Sequence, residues 1–387
     1  MGQKRKTDKP EFLRKAIQIS WEQKIIPHCV LDISRRCNIT CRACYNIPNA
    51  RFKSLKTLKD ELEIIQRHQK ITSVLIVGGE PLLHPKIYEI IKMVRKKGLF
   101  AEMSTNGVLF NETVAEKLAQ SGLNMCSFHI ESKQKRPDLS FKSTEEERNS
   151  LREEKAHICE KYGMDSGIML TAFKDNPEEI KECTHLFLRS KYLKYFVITS
   201  YIDSERLGKL SGNLGTKIVA QSGSSRCSEN SYTMKELVHI IGKNFDNQPF
   251  NYIASTKENT DARWLNYRCV SAIDSSSVTN FIIHPSLFER GLLKFHEIIL
   301  KKSIWYLPQS SFGTKIYLTL NGLLGHYKNF IFLAKNIRKC LILKTLIATT
   351  EVEIKNSEVI LCASCVDAQV KSGKLVPTCL ADNIESV

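Results

Sequence analysis

The sequence predicts an α/β fold in which parallel strands alternate with helices, arranged as an incomplete barrel or an open sheet. Between residues 28 and 201, six short apolar runs alternate with longer segments whose apolar residues recur every three or four positions. The longer segments can form helices that cross over between neighbouring parallel strands. In both arrangements ligands bind where the strands end, so we expect functional side chains in the loops that follow the strands.

Each predicted strand is followed by a predicted helix until the pattern ends near residue 201. Residues 203–232 are rich in Ser, Gly and Asn with weak periodicity, which predicts a linker or a mobile loop. The predicted strands are 28–33, 73–78, 99–104, 123–130, 167–173 and 195–201, and the predicted helices are 57–70, 86–97, 111–121, 144–162 and 177–190.

Composition places the chain among ordinary globular proteins and excludes wholesale disorder. Its 387 residues are 42% hydrophobic and 25% charged, and the length allows two or three domains. The formal net charge of +16 predicts an anionic partner, without choosing among nucleic acid, lipid headgroups and small anions.

The cysteine content indicates a reducing compartment. The chain has 13 cysteines, and its first residues, MGQKRKTDKPEF, carry charge with no apolar run behind them. This pattern shows no secretory signal, and no stretch reaches the roughly 18 apolar residues of a membrane span. We therefore expect a cytoplasmic protein whose reduced thiols can bind metal or pack in a core.

Three cysteines follow the first predicted strand in a CxxxCxxC pattern. Cys37, Cys41 and Cys44 lie in the segment DISRRCNITCRACYNIP. Thiolates are soft ligands, and three on one loop can converge on a metal or on three irons of a cluster. A structural zinc site would need a fourth ligand nearby, whereas a four-iron cluster can leave one iron open for another molecule.

A second landmark follows the second predicted strand. Gly78 and Gly79 allow close backbone approach, and Glu80 adds a carboxylate, so this turn can meet the ammonium group of a bound amino acid. With the CxxxCxxC pattern before it, the sequence resembles the radical S-adenosylmethionine (SAM) superfamily. The resemblance covers about residues 25–201.

The resemblance implies further cofactor contacts at later strand ends. Ser104 and Asn106 end the third strand, where the family contacts the ribose of SAM. Glu131 ends the fourth, although many relatives have Asp in a Ser-x-Asp pattern there. Lys133 and Arg136 follow in a basic run, which is either a solvated loop or a clamp for the SAM carboxylate or an anionic substrate.

The resemblance also implies a fold and a reaction. The fold is a partial (β/α)6 TIM-like barrel, followed here by a C-terminal α+β extension. Cys37, Cys41 and Cys44 would hold a [4Fe–4S] cluster, and reductive cleavage of SAM would give a 5′-deoxyadenosyl radical. We expect an electron donor such as a flavodoxin or ferredoxin. The substrate is a peptide or protein, or a small or lipid-like metabolite, and the sequence identifies no catalytic residue.

A second cysteine group follows a predicted hairpin near the end of the chain. Cys362, Cys365 and Cys379 form CxxC and a third cysteine, a spacing that favours a metal site. Cys269 and Cys227 are the candidate fourth ligands. The tail resembles a reduced SPASM or twitch extension, which implies a second iron–sulfur cluster, and zinc is the alternative.

These observations divide the chain into four regions. We expect a basic N-terminal helix or tail over 1–24 and the radical SAM partial barrel over 25–202. A linker or irregular region over 203–280 and a C-terminal extension over 281–387 follow, the latter with the second cysteine cluster.

One stretch of the C-terminal region contains no acidic residue. The 53 positions from 298 to 350 have no Asp or Glu but eight Lys and Arg. Either two amphipathic helices pack over the barrel mouth with solvated lysines, or the stretch binds an anionic lipid surface or RNA. Leu, Ile and Phe outnumber the stacking platforms that RNA uses, so we expect an anionic or amphiphilic substrate, with peripheral membrane contact as a further candidate.

Two other functions fit parts of the pattern. Zinc at both cysteine groups would give a nucleic-acid-binding module, and a radical SAM enzyme could modify RNA. A zinc-binding RNA module has no use for six βα units or for a glycine pair at the second strand end. We therefore expect an enzyme and do not expect nucleic acid as its partner.

Overall fold

The computed structural model describes residues 10–19, 23–44, 46, 50–201, 230–254, 262–303, 310–324, 326–350, 353–355, 358–360, 366–378 and 381. Its strands are β1 (Ile17–Ile19), β2 (His28–Asp32), β3 (Thr40–Cys41), β4 (Ser73–Val77), β5 (Phe100–Thr105), β6 (Met125–His129), β7 (Gln134–Lys135), β8 (Asp165–Ala172), β9 (Leu193–Ser200), β10 (Asn251–Ala254), β11 (Ala262–Ile273), β12 (Val278–Ile282), β13 (Cys340–Thr349), β14 (Glu353–Lys355), β15 (Glu358–Ile360), β16 (Ala368–Lys371) and β17 (Lys374–Pro377).

The α-helices occupy the segments between these strands. They are α1 (Leu55–His68), α2 (Ile87–Lys96), α3 (Glu112–Gln120), α4 (Glu145–Lys161), α5 (Pro177–Arg189), α6 (Met234–Gly242), α7 (Leu287–Phe295), α8 (Ser311–Leu324) and α9 (Tyr327–Asn336). A π-helical turn, His296–Leu300, continues α7.

The first half of the chain confirms the predicted α/β fold. β2, β4, β5, β6, β8 and β9 pair in parallel in that order, and α1 to α5 make the crossovers. The predicted helices match because their start signals are local. Ser54 and Asn111 cap α1 and α3, and Thr144 with Glu147 forms a capping box at α4.

The carboxyl ends of the parallel strands lie along one edge of the sheet, while apolar helix faces fill the space behind it. Leu58, Leu62 and Ile65 of α1 lie in one core cluster with Ile90 and Val94 of α2. Their three- and four-residue spacing buries one helix stripe. The helices cover the apolar side chains, so the loops at the strand ends can carry polar residues.

The region predicted as a linker differs from expectation. β10, β11 and β12 lie within residues 203–280 or just beyond, and they join the sheet. β13 is inserted between β11 and β9, parallel to β9 and antiparallel to β11. β10 with β11 and β11 with β12 pair as consecutive strands, whereas the residues paired between β11 and β13, such as Ile273 and Cys340, are far apart in sequence, so local spacing does not reveal where β13 joins the sheet. Residues 202–229 lie outside the described part.

Smaller strand pairs complete the described chain. β1, inside the predicted N-terminal tail, pairs with β10 in parallel. β14 and β15 form the antiparallel pair expected before the second cysteine group, and β16 pairs with β17. No helix among the described residues is long and apolar enough to span a lipid bilayer.

Candidate functional site

The loop that carries the first three cysteines leaves β2 at the carboxyl edge of the sheet. Its first residues remain bonded to the sheet, since the N–H of Ile33 donates to the carbonyl of Val77 at 2.9 Å. Further along, Thr40 and Cys41 form β3, which pairs with Lys135 and Gln134 of β7. The loop is thus held at two places, at the end of β4 and at β7, the segment that follows β6.

Gly78 and Gly79 let this loop approach the end of β4 closely. The N–H of Gly79 donates to the carbonyl of Ser34 at 2.7 Å, and the N–H of Glu80 donates to that of Arg36 at 2.8 Å. A Cβ on Gly78 would lie 2.5 Å from the Ser34 oxygen, and one on Gly79 would lie 2.3 Å from the Arg36 oxygen. Both positions therefore require glycine for packing against the cysteine loop.

The three sulfurs influence each other electrostatically. Burial, followed by the negative charges of Glu131, Cys44 and Cys37, raises the pKa of Cys41 far above its ordinary value. Within the described residues, no three His, Cys, Asp or Glu side chains are already arranged to hold a metal ion.

Glu80 ties the end of β4 to the end of β5. Its carboxylate accepts hydrogen bonds from Thr105 Oγ1 at 2.6 Å, the N–H of Asn106 at 2.8 Å and the N–H of Leu82 at 3.0 Å. The side chain is fully buried, and burial raises the pKa of this carboxyl although the three donors oppose the shift. These contacts assign the Glu80 carboxylate a positioning role, where the sequence suggested a direct contact with a ligand ammonium.

Asn106 reaches from β5 to the cysteine loop. Its Nδ2 lies 3.8 Å from Cys37 Sγ and 2.7 Å from Asn38 Oδ1. Ser104, on the same strand, is half-buried and donates to Met169 Sδ at 3.0 Å. Asn106 is thus placed beside the predicted cluster, whereas Ser104 points toward β8.

Glu131, which follows β6, forms an ion pair with His129, the last residue of that strand. His129 Nε2 lies 2.9 Å from Glu131 Oε2, and the N–H of Thr171 donates to the same oxygen at 3.0 Å. Burial acts to raise the pKa of Glu131 and to lower that of His129. The attraction and the hydrogen bond between the two side chains outweigh the effect of burial at both residues. The pKa of Glu131 is therefore lowered and that of His129 is raised.

The second oxygen of Glu131 has no bond within the described part of the chain. Oε1 is buried and unpartnered, on a side chain whose residue is 2% exposed. A buried acceptor without a donor is costly, and a ligand hydroxyl would satisfy it.

The side chain of Lys133 forms an ion pair and is not a solvated, unpaired lysine. Its Nζ lies 3.3 Å from Asp175 Oδ2, which also accepts from Arg42 Nη1 at 2.9 Å. Arg42 belongs to the cysteine loop and lies over the Phe173 ring at 5.4 Å. Lys133 therefore helps to hold that loop, and only part of its charge remains for an anion.

Arg136 differs from its predicted role as a ligand clamp. The residue is 8% exposed, and its guanidinium makes a bidentate pair with Asp138 at 2.6 and 2.8 Å. It also donates to Gln134 Oε1 and to the carbonyl of Asn106, both at 2.9 Å. These contacts correct the interpretation: Arg136 braces the strand ends and leaves little donor capacity for a ligand.

Cys269 also differs from expectation. It is fully buried within β11, in a core cluster with Phe196 and Leu346, and burial raises the pKa of its thiol to about 12. A neutral thiol among apolar side chains is a core residue, which argues against a role as fourth metal ligand. Cys362, Cys365, Cys379 and Cys227 lie outside the described residues.

Sequence reasoning missed several residues of the site. Thr105, Gln134, Thr171 and Asp175 each bond to a predicted residue or to the cysteine loop. Thr105 stands beside Asn106 at a strand end and could have been included. Gln134 contacts Arg136, two residues further on, and lies inside the basic run. Thr171 and Asp175 act through contacts with Glu131 and Arg42 in distant segments, for which a single sequence carries no signal.

The residues present suit an iron–sulfur cluster and SAM. Cys37, Cys41 and Cys44 supply three soft donors on one anchored loop, which matches a cluster that keeps one iron free of protein sulfur. The unpartnered oxygen of Glu131 can accept a bond from a ribose hydroxyl.

The comparison with protein families agrees with this site. Residues 31–187 match the family model described as the Radical SAM superfamily, and the match contains the cysteine loop, the glycine pair and Glu131.

Individual relatives are similar over part of their length. Fe-coproporphyrin III synthase of Methanosarcina barkeri is 28% identical over 167 residues, which cover 42% of this chain and 41% of that protein. Pre-heme d1 synthase of Dinoroseobacter shibae is 26% identical over 183 residues, which cover 44% of each. The chain thus spans less than half the length of both relatives. The structure of SuiB of Streptococcus suis bound to S-adenosylmethionine gives a TM-score of 0.37 at 19% identity, over 46% of this chain and 42% of SuiB.

Proposed function

Because residues 31–187 match the Radical SAM superfamily model, we propose that this protein is an enzyme that uses SAM to start radical chemistry on a further substrate. Cys37, Cys41 and Cys44 hold the [4Fe–4S] cluster in this proposal, and SAM binds beside them. A cluster held there would supply one electron, received from an external reductant, for the reductive cleavage of SAM.

The observation that carries the proposal is the meeting of five strand ends around one loop. β2 provides the cysteines, β4 the glycine pair and β5 Asn106. β6 provides Glu131, which β8 holds through the N–H of Thr171. Ligands of βα folds bind where strands end, so this edge is where a cofactor and a substrate meet.

The surrounding residues bind and orient. Asn106 donates toward Cys37 Sγ and so helps to orient that ligand. Glu131 accepts from a hydroxyl of SAM through its unpartnered oxygen, while His129 keeps the carboxylate ionised. Glu80 and Arg136 hold the loops in register, and Lys133 provides part of a positive charge near the opening.

The proposal is tested on protein purified and reconstituted without oxygen. We expect about four irons at the first site, a reduced-cluster electron paramagnetic resonance signal that changes when SAM is added, and formation of 5′-deoxyadenosine with dithionite. Cys41→Ala should lose the part of the signal that responds to SAM, and the product. Cys340→Ala changes an exposed cysteine outside the site and should keep both. SAM cleavage retained in Cys41→Ala would refute the assignment.

We propose a second metal site on Cys362, Cys365 and Cys379, with an iron–sulfur cluster preferred over zinc. Its support is the CxxC spacing after the β14–β15 pair. Quantitation of iron, sulfide and zinc decides it, since four irons and one zinc per chain would indicate zinc. Cys269→Ala should leave the metal content unchanged, because Cys269 lies in the core.

The substrate and the electron donor complete the proposal. We propose a flavodoxin or ferredoxin as donor and an anionic or amphiphilic substrate, to which the basic charge of the chain is complementary. The two relatives named above are synthases of an iron porphyrin and of pre-heme d1, and carboxylated tetrapyrroles belong to this substrate class. Anaerobic incubation with SAM and a tetrapyrrole, a peptide or a lipid extract would separate the candidates by mass change and deuterium transfer.

Peripheral membrane contact concerns a different face of the molecule. Its residues lie outside the radical SAM domain, on the helices between β12 and β13.

A further inference from the structure

The helices between β12 and β13 expose an unusual amount of apolar surface. Among the large apolar side chains that are exposed in the described residues, all but Leu109 and Phe141 lie between positions 287 and 337. Isolated exposed apolar residues are common, but a concentration on consecutive helices marks an interaction surface.

On α8 the exposed apolar residues form one stripe. Phe312, Ile316, Leu320 and Leu323 are 75%, 45%, 43% and 68% exposed, and they follow each other at three- and four-residue spacing. The buried side of the same helix carries two polar residues, Thr314 and Asn321, together with Leu318. A helix on a water-exposed surface usually buries its apolar side and exposes its polar side, and α8 does the reverse.

Polar contacts bury the inner side of α8 against α7. Glu289 of α7 is 3% exposed and accepts hydrogen bonds from Asn321 Nδ2 at 2.6 Å and from the Tyr317 hydroxyl. A carboxylate buried with two donors fixes which faces of the helices meet. The apolar stripe is consequently held outward by a specific contact and does not depend on a loose packing arrangement.

The neighbouring helices continue the pattern. α9 exposes Tyr327, Phe330 and Ile331, and it crosses α8 where a Cβ on Gly322 would lie 2.9 Å from the backbone nitrogen of Phe330. The end of α7 and the π-helical turn expose Phe295, Ile298, Ile299 and Leu300. We call the exposed apolar residues of 287–337 the apolar helix surface.

Unpaired positive charge accompanies the apolar helix surface. Lys301, Lys315, Lys328, Lys335 and Arg338 have no acidic side chain within ion-pair distance in the part of the chain that the structure describes. The sequence has no Asp or Glu between 298 and 350 that could neutralise them. An apolar helix face flanked by cations alone complements a surface of hydrocarbon and phosphate.

We propose that the apolar helix surface docks the protein onto a bilayer that contains anionic phospholipid. α7, α8 and α9 lie in the interface with Phe312, Leu323 and Phe330 below the headgroups, and the lysines contact phosphates. A protein partner would have to be acidic to neutralise the unpaired cations. Anionic lipid complements both the apolar side chains, through its hydrocarbon, and the cations, through its phosphates.

A cavity beside α9 fits a headgroup phosphate. It has a volume of about 410 Å³, shares Tyr327 with the apolar helix surface, and is also lined by Lys328, Lys15, His284 and His326. Asp246 is the acidic residue in its lining, and it pairs with His284 at 3.4 Å. This arrangement places donors for a phosphate where α9 begins.

The test is co-sedimentation of the full chain with vesicles, which does not depend on iron or SAM. We expect binding to vesicles of phosphatidylcholine mixed with phosphatidylglycerol, weak binding to phosphatidylcholine alone, and loss of the difference at high salt. Phe312→Ser combined with Leu323→Ser should lower the partition coefficient about tenfold or more on both vesicles. Lys328→Gln combined with Lys335→Gln should lower it on the anionic vesicles only.

Matched variants separate this docking from general effects. Phe141→Ser removes an apolar side chain that is 67% exposed elsewhere, and Lys70→Gln with Lys92→Gln removes two other exposed charges; both should bind as the wild type does. Absence of binding to either vesicle would overturn the proposal. A dimer that Phe312→Ser dissociates, without vesicle binding, would show that a second copy covers the surface and would equally overturn it.

Discussion

The backbone N–H of Asn106 lies 2.8 Å from Oε2 of Glu80, a bond that joins the carboxyl ends of β4 and β5. The side chain of Asn106 continues from there to Cys37 Sγ at 3.8 Å. Glu80 therefore holds the cysteine loop in two ways. Its carboxylate bonds Asn106, which contacts Cys37, and its own N–H donates to the carbonyl of Arg36. The third residue of the Gly-Gly-Glu motif acts here as a buried connector between loops.

Replacing Glu80 by Gln should destabilise the fold. The amide has one acceptor oxygen, and its NH2 group would face the donors that the carboxylate now accepts. We expect a loss of about 1–3 kcal/mol in the free energy of unfolding, measured by urea denaturation. Glu116→Gln, at an exposed position of α3, should change stability little. An equal effect of both variants would contradict the connector role.

Replacing Gly79 by Ala should separate the cysteine loop from β4. The added Cβ would lie 2.3 Å from the carbonyl oxygen of Arg36, so the backbone must shift. We expect reduced iron incorporation together with a lower unfolding midpoint. Gly291→Ala is the control, since its Cβ meets nothing within 4 Å, and it should be neutral or slightly stabilising. Full iron loading in Gly79→Ala would show that the close approach is dispensable.

The sequence predicted the parallel half of the molecule because its signals there are local. Apolar runs mark β2, β4, β5, β6, β8 and β9, caps mark the helices between them, and the loops after the strands then fall at one edge. The position of Glu80 in that edge followed from its place after β4. Its bonding did not, because Thr105 and Asn106 are 25 and 26 residues away.

The C-terminal half was less predictable because several charged residues there are buried and several large apolar residues are exposed. Lys344 is one of the eight cations counted as surface charge, yet it is fully buried in β13. Conversely, Phe312 and Leu323 are exposed while Glu289 is buried. Periodicity shows that a helix has two faces, but it cannot show which face turns inward when a polar cluster holds the inner one.

Lys344→Met should destabilise the protein through the end of α5. Its Nζ donates to the carbonyls of Ser190, Phe187 and Leu188 at 2.6, 2.7 and 3.3 Å, so it caps that helix. Burial lowers the pKa of Lys344 to about 8. Methionine retains the volume but leaves carbonyls unbonded, at a cost of about 1–3 kcal/mol. Thermal unfolding of Lys70→Met, an exposed control, should match the wild type.

The His129–Glu131 pair should make stability depend on pH. The pKa of His129 is raised on folding, so its contribution is present below its ordinary value and is lost as the pH rises through the folded value. The pKa of Glu131 is lowered, so its contribution is lost as the pH falls through the folded value. Both contributions are present between roughly pH 4.5 and 6.5.

The stability difference between the wild type and His129→Gln should consequently be largest within that window and shrink toward pH 9. Urea denaturation at several pH values measures it, with His68→Gln on exposed α1 surface as the control. A difference that does not vary with pH would mean that the contact contributes packing without charge.

Arg136 and Lys133 should respond differently to substitution. Arg136→Lys loses the bidentate pair with Asp138 and the bond to the carbonyl of Asn106, so we expect a clear fall in the unfolding midpoint. Lys133→Met removes one partner of Asp175, which keeps Arg42, so stability should change little. SAM affinity, measured by equilibrium dialysis on reconstituted protein, should fall modestly in Lys133→Met. If Arg136→Lys instead weakened SAM binding with an unchanged midpoint, Arg136 would contact the ligand directly and the bracing role would be wrong.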